Sequence, residues 1–425
     1  MFKKLLKIII PFFSFQILIQ AIDAFSGILL VRNLLKTEYA YFGIISSLAS
    51  SALSTTISGM DSYLISKGIE LKEYKTSFSK LFNELIYFLR NKRKLVLLVC
   101  VPIGLWMMLK NGVTPERAAL FIILLIIDNF FRVRIQLYQG VFNIHQKFNF
   151  IQVVNLAGSS FRLLFVLTAT RFLTGEIAYA SMVLSFLVQL IILNHYSKKY
   201  IQSETVTKEK HKDFNKLYYS LLPVYVHTAF DGQIVILILT FFGNTTLLAD
   251  VNAAGKLSLI VVAVNAFISN YITVKFAAIK TKEDFIKKLF FTSSIFIGFY
   301  IVSVFAIMLV PHWFIWLIGS KYTNLEPYLY LVVINICVGN FSGLLLAINF
   351  SKTWIRKNWL SIPLTILFQI VGLSFFPPKD FQHVWYYATF CALPTLAINV
   401  LFCYKGFLTL GRQNNAGPEL AIISK

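Results

Sequence analysis

Along the chain, long apolar runs alternate with short polar breaks. Runs long enough to cross a hydrocarbon layer recur over 9–31, 40–65, 95–110, 117–141, 151–171, 177–196, 217–242, 253–274, 289–311, 327–350, 359–376 and 384–404. A crossing helix needs about 20 predominantly apolar residues, so this pattern predicts an all-α integral membrane protein of about 12 transmembrane helices. The roughly ten-residue alternation of a transmembrane strand does not occur, which argues against a β-barrel. The polar interval 197–216, with its KEKHK run, reads as a cytoplasmic linker between two six-helix lobes, 1–196 and 217–404; residues 405–425 form a tail. In the interval Lys67–Lys94, Tyr74, Phe78, Leu81, Phe82, Leu85 and Leu89 fall on one helical face. That spacing predicts an amphipathic helix lying at the membrane surface, or one that couples two helices mechanically.

Composition agrees with this pattern. Of 425 residues, 57% are hydrophobic and 14% charged, with a mean hydropathy of +0.69. Soluble domains carry about 25% charged residues, so a soluble enzyme is excluded, and disorder is excluded by the hydrophobicity. A net charge of +21 would suggest nucleic acid in a soluble protein. Here Lys and Arg concentrate in alternate loops, 29 on the side of the N-terminus against 7 on the other, counting along the sequence. By the positive-inside rule both termini are expected to be cytoplasmic, and no nucleic-acid partner is expected. The opening MFKKLLK could start a signal peptide, but without a small-residue cleavage site it reads as a retained first helix. Cys100, Cys337, Cys391 and Cys403 lie in apolar runs without metal-ligand spacing and read as buried thiols. With no Walker, HExxH or GxGxxG sequence, no cofactor or metal is expected.

The informative residues are polar ones inside the spans. A charge at the centre of a bilayer costs about 2.5–3.5 kcal/mol on insertion scales, so such residues face the bundle interior or a wet cavity. Gln16, Gln20, Asp23 and Gly27 step by four, three and four along the first span. Ser47, Ser51, Ser54, Ser58 and Asp61 mark the second, Asp128, Arg132, Gln136 and Gln139 the fourth, and Gln152, Asn155, Ser159 and Arg162 the fifth. Steps of three and four keep residues on one helical face. The simplest arrangement aims four such stripes at one hydrated cavity. The later spans are less polar, with His227 and Asp231 four apart, Lys256, and then Asn265, Ser269, Asn335, Ser342 and Asn349.

Two readings stand for each charge. Asp128 and Arg132, four apart, either neutralise each other or serve coupling and cargo. Arg134 either reaches to headgroups or joins the cavity. Arg162 has no acid within a turn on its own helix, so it is a cavity residue or the partner of an acid on another helix. Asp23 and Asp231 are candidate proton or sodium couplers or helix–helix bonders, and His227 can titrate near neutral pH.

Four stretches carry a family resemblance. Leu35-Lys-Thr-Glu-Tyr-Ala-Tyr-Phe-Gly43 resembles a first outside loop running into helix two. Ser58-Gly-Met-Asp-Ser-Tyr-Leu-Ile-Ser66 resembles the end of that helix, with Ser66 where Arg is usual and Lys67 next. Leu248-Ala-Asp-Val-Asn-Ala-Ala-Gly-Lys-Leu257 and Trp316-Leu-Ile-Gly-Ser-Lys-Tyr322 resemble the approaches to helices eight and ten. In this order, over nearly the whole chain, they resemble the Wzx-type polysaccharide flippases of the multidrug/oligosaccharidyl-lipid/polysaccharide exporter superfamily. The resemblance implies two six-helix lobes around a central cavity in the bacterial inner membrane. It implies a non-enzymatic transporter whose cargo is a polyprenyl-pyrophosphate-linked oligosaccharide, working beside a polysaccharide polymerase and glycosyltransferases in O-antigen or capsule assembly.

That cargo matches the polar residues. Arg binds phosphate with a planar fork, so Arg162, Arg132 and Arg134 are expected at the anionic headgroup. Gln16, Gln20, Gln136, Gln139 and Asn155 are expected along the glycan path. Asp23, Asp231, His227 and Asp128 are the ion-coupling candidates. A drug or cation antiporter of the same superfamily is the main alternative, then a lipid II flippase or a membrane glycosyltransferase. The topology is directly testable. In intact cells Asn244→Cys should react with a membrane-impermeant thiol reagent added from outside, and Lys208→Cys should react only after permeabilisation.

Overall fold

The computed structural model describes residues 2–202, 212–231, 233–242, 244–258, 276, 279, 281–352, 354, 359 and 361–410. Its regular structure is helical throughout, and each predicted span that falls on described residues coincides with helix. Beyond Ser258 the eighth span, 253–274, lies outside the described residues, with Asn265 and Ser269. Packing separates two compact units, Met1–Lys256 and Leu257–Lys425.

The first unit contains α1 (Phe2–Asn33), α2 (Lys36–Ile57), α3 (Met60–Leu71), α4 (Lys75–Lys110), α5 (Pro115–Ile144), α6 (Phe148–Ala169), α7 (Gly175–Ser197), α8 (Lys212–Asp231), α9 (Ile234–Phe241) and α10 (Thr245–Ala254). The second contains α11 (Lys282–Leu309), α12 (Pro311–Ile318), α13 (Leu329–Ser351), α14 (Ser361–Phe375) and α15 (Phe381–Thr409). Among the described residues seven helices are long and apolar enough to cross a membrane, and α8 with α9 makes an eighth across a 58° bend. Of the remaining predicted spans, 95–110 is the second half of α4, 117–141 lies within α5, and 359–376 becomes the 15-residue α14.

Local chemistry sets several helix ends. Thr174, Asn244, Thr281 and Asp380 cap α7, α10, α11 and α15 by accepting a backbone N–H with the side chain. Pro115 and Pro311 occupy first-turn positions, where the missing N–H costs nothing. The predicted second span is broken where Ser58 (φ 40°) and Gly59 (φ 79°) enter the left-handed region in succession, which ends α2 and starts α3 in a new direction. At φ 79° a side chain on residue 59 would be strained, and its Cβ would lie 2.9 Å from the Leu221 side chain, so glycine suits this bend against α8.

Of the two roles expected of the amphipathic segment, surface helix or mechanical coupler, its packing fits the coupler. It continues into the third span as one 36-residue helix, about 54 Å long. Its apolar face is buried in a protein core: Phe78, Leu81, Phe82, Leu85 and Leu89 pack with Met60, Leu64, Val133, Leu137, Phe214 and Tyr218 from α3, α5 and α8. An apolar face covered by neighbouring helices has no need of lipid, so the coupling role is the one its packing performs. Tyr74 falls just before the helix and is exposed.

In the second unit α15 packs along α13, with α14 against α15 and α11 against α13. Polar bonds tie α13 to α15. Asn349 donates to the Asn399 carbonyl at 2.9 Å, and Asn399 donates to the Ser342 hydroxyl at 3.0 Å. The four cysteines are buried.

The buried face of α4 gives a stability contrast. Phe82→Ala should cost about 3–5 kcal/mol and lower the thermal unfolding midpoint in detergent. Tyr74→Ala should leave the midpoint nearly unchanged.

Candidate functional site

The polar stripes resolve into separate groups within the first unit. α1 lies along α6, which brings Asp23 opposite the last two residues of the α6 stripe. The Ser159 hydroxyl faces the Asp23 carboxylate, and Arg162 and Lys256 bear on the same charge. Lys256 follows α10 and reaches over α1: its Nζ lies 3.7 Å from where a Cβ on Gly27 would stand. Gly27 thus leaves room for an ammonium one turn from Asp23. Arg162 also senses Tyr39 on α2.

These three charges interact without closing to ion-pair contact, and Nε of Arg162 is buried with no protein partner. Two cations around one carboxylate leave a local excess of one positive charge. A buried guanidinium nitrogen without an acceptor is costly, so the arrangement suits an acceptor supplied from outside the chain, such as a phosphate oxygen or a sugar hydroxyl.

The other arginines lie elsewhere. Arg132 donates to Asp128 at 3.4 Å on its own helix and lies over the Phe186 ring of α7. Asp128 is fully buried; its second oxygen has no partner, and the buried Tyr179 hydroxyl beside it makes no close hydrogen bond. Arg134 stacks on Phe130 and lines a groove with Arg90 and Arg93 of α4. The three arginines named from the sequence therefore occupy three settings, not one.

The amides pair across helices. Gln136 donates to Asp61 at 2.9 Å, joining α5 to α3, and Gln139 donates to Asn155 at 3.0 Å, joining α5 to α6. Gln16 and Gln20 are half-buried on the side of α1 away from exposed Ile17 and Leu18. His227 is half-buried with its Nε2 unpartnered, four residues before half-buried Asp231 on α8.

Lys256 and Ser159 complete the Asp23 group. Lys256 stood out in the sequence as a lone lysine in an apolar stretch, and Ser159 as the step before Arg162 in its stripe, but neither signalled which helix it would meet. A second group had no such signal. Arg117, at the start of α5, donates to Glu38 of α2 at 2.7 Å and to Glu176 of α7 at 2.8 Å, and the Gly175 N–H donates to Glu38 at 2.8 Å. Three helix N-termini meet there, and the two carboxylates sit in first turns, where the helix dipole favours them. Nearby, Lys36 of α2 pairs with Asp250 of α10 at 2.8 Å.

No family model and no curated protein matches the chain. Solved structures do match its fold. A multidrug resistance MATE family transporter of the MOP superfamily, in an inward-facing conformation, aligns with 92% of this chain and 96% of its own at TM-score 0.72 and 13% identity. The lipid II flippase MurJ, inward closed, aligns with 95% of this chain and 90% of its own at TM-score 0.60 and 13% identity. A MOP superfamily transporter from Pyrococcus furiosus, whose reversed pocket polarity was taken to suggest a different function, aligns with 94% of each chain at TM-score 0.59 and 13% identity. At these identities the likeness is one of fold. The chain has the multi-helix membrane fold that MATE transporters and MurJ share.

The Arg117 group should act as a clamp on the first unit. Arg117→Ala leaves Glu38 and Glu176 facing each other and should cost about 1.5–3 kcal/mol, the worth of hydrogen bonds to charged groups. A lowered unfolding midpoint would show the loss, and Glu38→Gln in the same chain should recover part of it by removing one of the opposed charges.

Proposed function

We propose that the chain is a membrane transporter that moves a polyprenyl-pyrophosphate-linked oligosaccharide from the cytoplasmic to the periplasmic leaflet by alternating access. It would act in the bacterial inner membrane, both termini cytoplasmic, with 1–196 and 217–404 as its two lobes. A polysaccharide polymerase and glycosyltransferases would be its working partners in O-antigen or capsule assembly. The observation that carries this reading is the positive excess of Arg162 and Lys256 around Asp23, with the Arg162 Nε unpartnered. A pyrophosphate–sugar headgroup is anionic and rich in hydroxyls, and a guanidinium fork at that depth offers it the donors that hydrocarbon cannot.

In this reading Arg162 holds the phosphate first, with Arg132 and Arg134 as further contact points. Gln16, Gln20, Gln136, Gln139 and Asn155 meet the glycan. Asp23, Asp231, His227 and Asp128 carry proton or sodium coupling. The lipid tail stays in the bilayer. A fold likeness at TM-score 0.72 to a multidrug transporter supports the second reading, drug or cation antiport. A cationic drug would need acids at the site, whereas the Asp23 group carries two cations to one acid.

Arg162→Ala should abolish surface polysaccharide while the protein stays in the membrane at wild-type level, as read by polymer immunoblot and membrane fractionation. Unchanged polymer would remove Arg162 from the transport path, and a deletion strain with altered drug susceptibility and intact polymer would favour the antiporter. Asp23→Asn with Asp231→Asn should abolish gradient-driven transport; unchanged transport in that variant with the ion gradient collapsed would refute coupling through these acids.

A further inference from the structure

One cationic cluster lies outside the Asp23 group. Ile86, Arg90 and Arg93 on α4 and Phe130, Val133, Arg134 and Leu137 on α5 line a groove of about 260 Å³. The guanidinium of Arg134 lies 4.2 Å from the centre of the Phe130 ring, and that of Arg93 lies 4.7 Å from it. Stacking on one ring holds two planar forks in place before any ligand arrives. Arg93 is half-buried, and its charge is opposed by those of Arg134 and Arg90. Among the described residues no carboxylate lies within ion-pair distance of the three. Three unneutralised guanidiniums gathered in one groove call for an anion with several acceptor oxygens.

The surroundings say how that anion is carried. On α5, Ile123, Ile126, Phe130 and Arg134 step by three, four and four, so they share one face. Ile123 and Ile126 are about half exposed, as is usual for a face turned to lipid tails. On α4 the half-buried Leu97 stands four residues after Arg93 and seven after Arg90, on the same face. The two helices run antiparallel, so the arginines of both lie at the same end of this apolar strip. That end is the one where the positive-inside pattern places headgroups of the cytoplasmic leaflet.

We propose that the groove formed by Arg90, Arg93, Phe130 and Arg134 binds the anionic phosphate headgroup of a membrane lipid whose tail lies along the apolar strip of α4 and α5. This site is separate from the Asp23 group, which carries the transport reading, and of the cargo contacts proposed above it includes Arg134 alone. It would bind lipid phosphate equally well in a drug antiporter, so its failure would leave the transport reading intact.

The test uses the full chain purified in a neutral detergent, with fluorescent phosphatidic acid as probe. Phosphatidic acid should bind saturably. Zwitterionic phosphatidylcholine should bind at least tenfold more weakly, and inorganic pyrophosphate should fail to displace the probe at equal concentration. Arg93→Gln and Arg134→Gln should each weaken binding about tenfold, equivalent to about 1.4 kcal/mol. Both should melt at or above the wild-type temperature, because each relieves like-charge repulsion. Independently of any variant, a photoreactive phosphatidic acid should crosslink to peptides carrying Ile86, Val133 or Leu137. Wild-type binding by a folded Arg93→Gln, Arg134→Gln double variant, displacement by pyrophosphate as readily as by lipid, or crosslinking confined to other helices would each overturn the proposal.

Discussion

An ionised side chain at hydrocarbon depth has no water to answer it, and the protein must supply what water would have supplied. Much of the first unit follows from this constraint. Asp23, Ser159, Arg162 and Lys256 come from three places in the chain and meet at one level. Asp128 and Arg132 solve the same problem within a single helix, while Gln136 with Asp61 and Gln139 with Asn155 solve it in pairs across helices. Each solution fixes the rotation of a helix about its own axis, because a stripe that must meet a partner cannot face lipid. Apolar residues such as Leu164 and Ile17 then occupy the opposite, exposed faces.

The constraint is met unequally, and the inequality separates scaffold from site. The Glu38–Arg117–Glu176 group is closely paired: guanidinium donors meet two carboxylates, and a backbone N–H adds a further bond to Glu38. It holds three helix ends together. The Asp23 group is unsaturated, with more positive than negative charge and a donor nitrogen lacking an acceptor. A donor that lacks an acceptor at that depth has bonding capacity to spare for a passing molecule.

Much of the fold could be read in the sequence because helix formation in lipid is dictated locally. Apolar runs, loop lengths and the stripe spacing of Gln16, Gln20, Asp23 and Gly27 all depend on near neighbours in the chain. The two-residue left-handed bend at Ser58 and Gly59 was less visible, since only Gly59 hints at it. The first half of α4 stays undecided from sequence, because an amphipathic period cannot tell a face turned to membrane from one turned to other helices; Phe82 looks the same in either case. Site membership was hardest. That Arg162 would meet Asp23 and Lys256, that Arg132 would stay on Asp128, and that Arg134 would turn toward Arg90 and Arg93 depends on how helices are rotated against one another. No residue carries that information alone.

The division of the Asp23 group among distant parts of the chain bears on how the protein is made. α1 leaves the ribosome long before α6, and Lys256 emerges later still. Asp23 therefore reaches the insertion machinery without its eventual partners, carried by the apolar remainder of its helix, whose mean hydropathy is 1.7 over the crossing segment. Until Arg162 arrives, the acid must stay protonated, keep to an aqueous lateral opening, or remain beside a chaperoning helix. Biogenesis of the first unit is thus a waiting problem, in which early helices are held close until the late ones bring the opposite charges.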